Sequence, residues 1–394
     1  MIFFNFFFFL FNFFMARRYV STVVCSSFLG TAVTLSISEN GDVYSFGKHR
    51  TNAHGHSKEL IPVPKRISSL CYITVISTCG FHTACVNNNG DVFTFGCNTF
   101  GQLGIGKDAK TLPRTHIPQK VNLPPIQYVT CGVHHTTCLT YNGELFSFGR
   151  NEYGELGHGN RENCYLPKKI DLGNIDFVES GDAFTFCKTF SNDVYAWGCN
   201  DKGQLGNGSV TNQFSPCKVN SCPEDVIDIK CGRNHTLVLT LNQRVYSCGD
   251  NFYFQLGRET SSSNFVMIPL FDIIRIECGK FHCLCIDVNN DLYVYGQNSY
   301  GQLGLDNNTN YSTKVTKHPS LSNIIDISKG GLHTFVKTSN NEIYAFGNNE
   351  NTQLGIETED DYQLTPIRAL QDKENIWYSN SGKSKVKSAR FLSQ

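Results

Sequence analysis

A chain of 394 residues in which 34 lysines and arginines balance 34 aspartates and glutamates has no overall field to draw it onto nucleic acid or an anionic membrane. A hydrophobic content of 40%, an aromatic content of 12% and 34 glycines exclude a disordered chain and suit many short strands joined by tight turns.

The chain opens on MIFFNFFFFLFNFF. This run is shorter than the roughly 20 apolar residues of a membrane span and lacks the basic start and small-residue cleavage site of a signal peptide. Thymine- and adenine-rich untranslated sequence read in frame gives such a composition. Residues 1–18 are therefore expected to be an extension to the fold, of which the part before the ordinary start Met15-Ala16-Arg17-Arg18 is not translated. A short membrane anchor at 1–14 is the rival reading, and without it no membrane is expected.

From residue 19 one segment recurs seven times: GDVYSFG at 41–47, GDVFTFG at 90–96, GELFSFG at 143–149, NDVYAWG at 192–198, QRVYSCG at 243–249, NDLYVYG at 290–296 and NEIYAFG at 341–347. The closing glycines run from Gly47 to Gly347, so the six intervals average 50 residues. Fourteen residues before each glycine stand Val33, His82, His135, Phe184, His235, His282 and His333, and eight residues after it a second glycine, from Gly55 to Gly355.

Each copy reads as short strands. Val-Tyr-Ser-Phe alternates around a pleat and ends on a mostly aromatic core position, Phe46, Phe95, Phe148, Trp197, Cys248, Tyr295 or Phe346. The run after the histidine slot is a second strand, joined to the first through turns such as Asn89-Gly90 and Asn142-Gly143 that tolerate positive φ. After the aromatic layer, Gly-x-Asn-x-x-Gly-Gln-Leu-Gly predicts a loop whose asparagine bonds backbone amides. A further strand around Pro118, Pro167 or Pro216 suits an outer edge. Sheets of about four strands repeated radially make an all-β, seven-bladed β-propeller. The N-terminal and C-terminal segments enter and leave partway through a repeat, so they are expected to share one blade and close the ring. The propeller is expected to span 19–380, with a basic C-terminal tail at 381–394.

The succession Gly-x-x-His-Thr, Gly-x-Val-Tyr-x-Phe-Gly and Asn-x-x-Gly-Gln-Leu-Gly resembles the regulator of chromosome condensation repeats over about residues 19 to 370. Repeat one departs from the pattern: His49 stands in the asparagine slot and His54-Gly55 replaces Leu-Gly. The resemblance implies a seven-bladed propeller but no single activity. The family's namesake is a chromatin-bound exchange factor for the Ran GTPase, with a basic tail and acids one and two places before the repeat histidine. Here Arg17-Arg18 precede the fold, and those slots hold one acid, Asp182. The plant ultraviolet-B photoreceptor, another relative, relies on clustered tryptophans; this chain has two, Trp197 and Trp377.

The repeat accounts for most residues that invite a chemical role. Of 17 cysteines, Cys85, Cys138, Cys187 and Cys285 share a slot that Val238 and Val336 fill elsewhere, so they read as small buried apolar groups. Paired C-x-x-C knuckles are missing, and an odd total suits a reducing compartment. The histidine slot accepts Val33 and Phe184, which points to packing rather than to metal. No phosphate loop and no nucleophile with a base at recognisable spacing occur, so the chain reads as a non-enzyme without cofactor or metal.

Function is expected in the departures from the frame: His49, His54 and His56 in repeat one, the long loop 105–120, Asp182, and the acidic stretch with Glu359, Asp360 and Asp361. The expected function is a monomeric, non-catalytic scaffold for a protein partner. The alternative is a guanine nucleotide exchange factor for a Ran-type small GTPase. No direct nucleic acid contact is expected, and the expected location is the cytoplasm, with the nucleus as the alternative.

Overall fold

The computed structural model describes residues 23–28, 31–107, 110–306, 309–356, 360–371 and 377–379. The expected N-terminal extension, the basic tail 381–394 and Glu359 lie outside the described residues. Within them the chain forms seven antiparallel sheets, each built from strands consecutive in sequence. Blades 1 to 7 occupy residues 23–66, 73–120, 126–169, 175–218, 226–267, 273–317 and 324–379. Six blades have four strands and blade 7 has five.

The strand gradient follows from sequence. Second strands are the most deeply buried, His235–Thr240 at every residue, because each is flanked in its own sheet and covered on both faces by neighbouring blades. Fourth strands are the most exposed and form the outer edge; Arg114–Lys120, with Pro118, has no fully buried residue. First strands pack against one another around the axis, and the first strand of blade 1 lies against that of blade 7.

This closure corrects the expectation of a shared blade. The segment Val23–Phe28 pairs with Thr31–Ile37 of its own blade, and the outer strand Tyr362–Gln371 pairs with Ile343–Asn348. Both terminal blades are complete without strand exchange. The short strand Trp377–Ser379 adds to Tyr362–Gln371 and lies against the outer strand of blade 1. The ends enter and leave partway through a sequence repeat because the repeat is out of phase with the blade.

Two contacts repeat around the ring. First, the aromatic residue of one blade packs on the second glycine of the preceding blade's loop. A Cβ built on Gly104 would stand 2.7 Å from the Phe148 ring, and one on Gly355 2.8 Å from Phe46. Where the aromatic is Cys248, Phe265 from the same blade's outer strand fills the space over Gly206. Second, a threonine in the second strand of six blades donates to the preceding blade's loop, as Thr136 does to the Gln102 carbonyl at 2.9 Å and Thr334 to Gln302 at 2.8 Å. That hydroxyl then accepts from the preceding histidine. His82 Nε2 meets Thr136 at 2.7 Å, His135 meets Thr185 at 3.1 Å, His282 meets Thr334 at 3.0 Å and His333 meets Thr34 at 3.2 Å.

The same girdle explains Gly-x-x-His. A Cβ on Gly132 would lie 2.1 Å from Cε1 of His135, so only glycine leaves the ring its place. Burial depresses the imidazoles His82, His135, His282 and His333 to about 3, which keeps them neutral. The histidines hold the blades together.

Candidate functional site

The strand order gives the ring two rims. The turn between first and second strands and the loop between third and fourth strands meet on the upper rim. The hairpins between second and third strands and the links between blades form the lower rim.

On the upper rim, six loops are tied by an asparagine carboxamide. The oxygens of Asn98, Asn151, Asn200, Asn251, Asn298 and Asn349 accept the amide of the following loop leucine at 2.9 to 3.2 Å. In blade 1 the three histidines do this work. His49 Nε2 donates to the Gly80 carbonyl at 2.8 Å, His54 Nε2 to Glu59 at 3.1 Å and His56 Nε2 to Lys65 at 3.3 Å. All three are buried. Burial lowers His49 and His56 to about 4 and lowers His54 as well. The expectation that they face a partner is corrected: all three imidazoles are buried against backbone carbonyls, His49 on Gly80 of blade 2 and His54 and His56 on Glu59 and Lys65 of blade 1.

Asp182 lies at the upper mouth of the channel, in the turn entering the second strand of blade 4. Its carbonyl accepts the Val133 amide of blade 3 at 2.9 Å, and its carboxylate stands 3.8 Å from the Arg233 guanidinium of blade 5. Burial raises its carboxyl above the ordinary value, and burial lowers Lys280 of blade 6. The Arg233 amide donates to Lys280 at 3.2 Å and the Lys280 amide to Gly331 at 3.0 Å, so the turns form a chain around the mouth. Phe281 lies under both cations, 5.6 Å from Arg233 and 5.7 Å from Lys280. Asp360 and Asp361 are exposed in the outer loop of blade 7, where the Asp361 carbonyl accepts the Asn349 amide at 2.7 Å. The structure therefore separates the sequence candidates: a buried trio in blade 1, one carboxylate at the mouth and an acidic loop on blade 7. Arg233 and Lys280 were invisible to a search of those turns for acids alone.

The lower rim carries the feature that sequence reasoning missed. One hairpin position, just after the second strand, holds Tyr141, Phe190, Leu241 and Val288 in blades 3 to 6, exposed by 61%, 67%, 52% and 47%. The same position holds Glu39, Asn88 and Ser339, all exposed, in blades 1, 2 and 7. The apolar side chains thus occupy one continuous arc of the ring. Backbone bonds fix three of them there: the amides of Phe190, Leu241 and Val288 donate to the carbonyls of Asn174, Asp225 and Asp272 at 3.0, 2.8 and 2.9 Å. Phe271, 49% exposed, lies beside the arc under the Arg244 guanidinium at 4.2 Å. The links between these blades are acidic and exposed at Asp171, Glu224, Asp225 and Asp272. The available signal was a large apolar residue at a turn tip, the place where a hairpin ordinarily puts polar groups.

Among the described residues one group could hold a metal ion: His235, Cys278 and Cys283, all buried.

The model of the RCC1-like domain matches residues 177–386, and the regulator of chromosome condensation (RCC1) repeat matches 89–139 and 142–187. Protein RCC2 of Homo sapiens is 30% identical over 261 residues, which cover 64% of this chain and 44% of that protein; the Mus musculus protein is 29% identical over the same length. The chain thus spans less than half the length of these relatives. The ultraviolet-B receptor UVR8 of Arabidopsis thaliana is 30% identical over 140 residues, 34% of this chain and 31% of that one. Two solved structures share the fold. Prp20p from Saccharomyces cerevisiae has a TM-score of 0.77 at 20% identity, covering 91% of this chain and 96% of that one. Human WBSCR16 has a TM-score of 0.74 at 22% identity, covering 84% and 96%. The repeat, the girdle it builds and these matches converge, and the chain belongs to the regulator of chromosome condensation (RCC1) repeat family.

Proposed function

We propose that the protein is a non-catalytic binding platform whose lower rim, across blades 3 to 6, docks an apolar protein segment flanked by basic residues. The apolar arc of Tyr141, Phe190, Leu241 and Val288 carries this reading. Four large apolar side chains stand exposed at one repeated, solvent-facing position in four successive blades, where a hairpin ordinarily carries polar groups. The carboxylates of Asp171, Glu224, Asp225 and Asp272 beside it favour a cationic partner. Hairpins on a rigid frame hold such a surface ready with little ordering cost on binding.

The test replaces Tyr141, Phe190, Leu241 and Val288 together by serine. The variant is expected to melt within about 2 °C of the parent, because exposed substitutions change stability little. It is also expected to lose the proteins that co-purify with the parent from cells. An unchanged set of co-purifying proteins defeats the reading.

Nucleotide exchange on a Ran-type GTPase is the second reading. It is supported by Asp182 at the channel mouth and by the fold shared with Prp20p, whose structure was reported with its binding to Gsp1p and histones. Release of a fluorescent nucleotide from such a GTPase separates the two: acceleration by orders of magnitude, weakened by Asp182→Ala, establishes exchange, and none is expected of a platform.

A further inference from the structure

In six blades the residue after the histidine slot is a threonine: Thr34, Thr83, Thr136, Thr185, Thr236 and Thr334. In blade 6 it is Cys283. The thiol keeps both girdle contacts, 3.2 Å from His235 Nε2 and 3.2 Å from the Gln255 carbonyl. It also stands 3.9 Å from Cys278 Sγ, so this station alone among the described ones sets two thiols beside a histidine. Cys278 and Cys283 are direct partners across the first and second strands of blade 6, so the backbone sets their spacing. His235 comes from blade 5. The three side chains are 0%, 1% and 0% exposed for His235, Cys278 and Cys283, and their donor atoms lie within 4.8 Å of one another.

We propose that His235, Cys278 and Cys283 form a structural zinc site that clamps blade 5 to blade 6. Zinc binds thiolate sulfur at about 2.3 Å and imidazole nitrogen at about 2.0 Å. An ion at those distances spans the 3.9 Å between the sulfurs near the tetrahedral angle. On binding, each S–H bond breaks as a Zn–S bond forms and two protons leave to solvent, while the imidazole proton of His235 moves from Nε2, which takes the ion, to Nδ1, which has no other partner. The dication, two thiolates and a neutral imidazole make an uncharged unit, the form an apolar interior accepts. The Gln255 carbonyl, now accepting the Cys283 thiol, loses that donor and faces the ion as the fourth ligand. Soft thiolates select zinc over the harder divalent ions. The other four girdle histidines meet a threonine hydroxyl, and the two remaining stations hold Val33 and Phe184 in place of histidine.

Cys283→Thr is the decisive variant, because it restores the residue that the other six blades use and so keeps the fold. The full chain, purified under reducing conditions, is expected to hold one equivalent of zinc by elemental analysis. Replacement by cobalt(II) should give the visible absorption of a tetrahedral thiolate site. Zinc should raise the melting temperature of the parent and a chelator should lower it. Cys283→Thr is expected to melt cooperatively yet to hold at least tenfold less zinc, to give no cobalt spectrum and to ignore zinc in the melt. Parent protein that holds no zinc and gives no cobalt spectrum overturns the proposal. So does Cys283→Thr protein that binds metal as the parent does, or a disulfide between Cys278 and Cys283 detected by mass spectrometry of the reduced-purified chain.

Discussion

The interface between blades 2 and 3 and the seam between blades 7 and 1 are made of the same parts. At the first, His82 meets Thr136 at 2.7 Å and Thr136 donates to Gln102 at 2.9 Å; at the second, His333 meets Thr34 at 3.2 Å and Thr34 donates to Gln353 at 2.6 Å. Gly104 receives Phe148 at one and Gly355 receives Phe46 at the other. The chain runs on through the first interface and is broken at the seam. There Phe46 and Ile61 of blade 1 join Phe335, Ile343, Ala345, Leu354, Ile356 and Ala369 of blade 7 in one apolar cluster, and Trp377–Ser379 reaches the outer strand of blade 1. A ring of equal interfaces needs no exchanged strand, because the seam is stabilised by the same nearest-neighbour contacts as every other joint.

The largest expected effect follows from opening that seam. Truncation after Thr365 removes six of the ten residues of the strand Tyr362–Gln371 and takes Ala369 from the seam cluster. Cooperative thermal unfolding should be lost at 37 °C. Truncation after Gln371, which among the described residues removes only Trp377–Ser379, should lower the melting temperature by a few degrees. Equal melting of the full chain and the shorter truncation would show that the seam cluster needs no external strand.

A smaller effect tests an interior joint. Glu155 fills the slot that Gln102, Gln204, Gln255, Gln302 and Gln353 fill elsewhere, and its carbonyl accepts from Thr185 at 3.3 Å and Trp197 at 3.0 Å. Burial pushes its carboxyl from 4.5 up to about 7. The fold therefore favours the protonated acid: its contribution is full below the unfolded value of 4.5 and is lost as pH rises through 7. Glu155→Gln should stabilise the protein by about 2 kcal/mol at pH 8 and by almost nothing near pH 4.5, read by urea unfolding. A gain that does not depend on pH would remove the carboxylate from the explanation.

The smallest effect compares the two joints directly. His82→Phe and His333→Phe each lose one hydrogen bond and place a ring that blade 4 already accepts as Phe184, so each should cost about 1 kcal/mol. Similar losses in urea unfolding mark the seam as an ordinary joint. A much larger loss for His333→Phe would make the girdle bond its main fastening.

Much of the frame was legible in the chain because each repeat carries both halves of its contacts. The histidine and threonine slots, the aromatic before the glycine and the loop asparagine recur at fixed spacing, so packing roles could be assigned to the girdle histidines and to the cysteines in valine slots. Phase was less legible: seven equivalent segments say that a ring closes but not where blades begin. His49, His54 and His56 looked functional because they break the pattern, yet the loop turns them onto the carbonyls of Gly80, Glu59 and Lys65.

The sequence by itself determined the number of blades, the strands within each and the residues that fasten one blade to the next. Those properties rest on local periodicity and on interactions written into every copy. Only the tertiary structure decided that the ring closes between whole blades, that Tyr141, Phe190, Leu241 and Val288 share one arc, and that His235 of one blade meets Cys278 and Cys283 of the next. Such groupings depend on which repeats become neighbours around the axis and on which side chains that packing leaves uncovered. A linear pattern carries neither quantity, since residues about one repeat apart in the chain become adjacent only when the sheets stack radially.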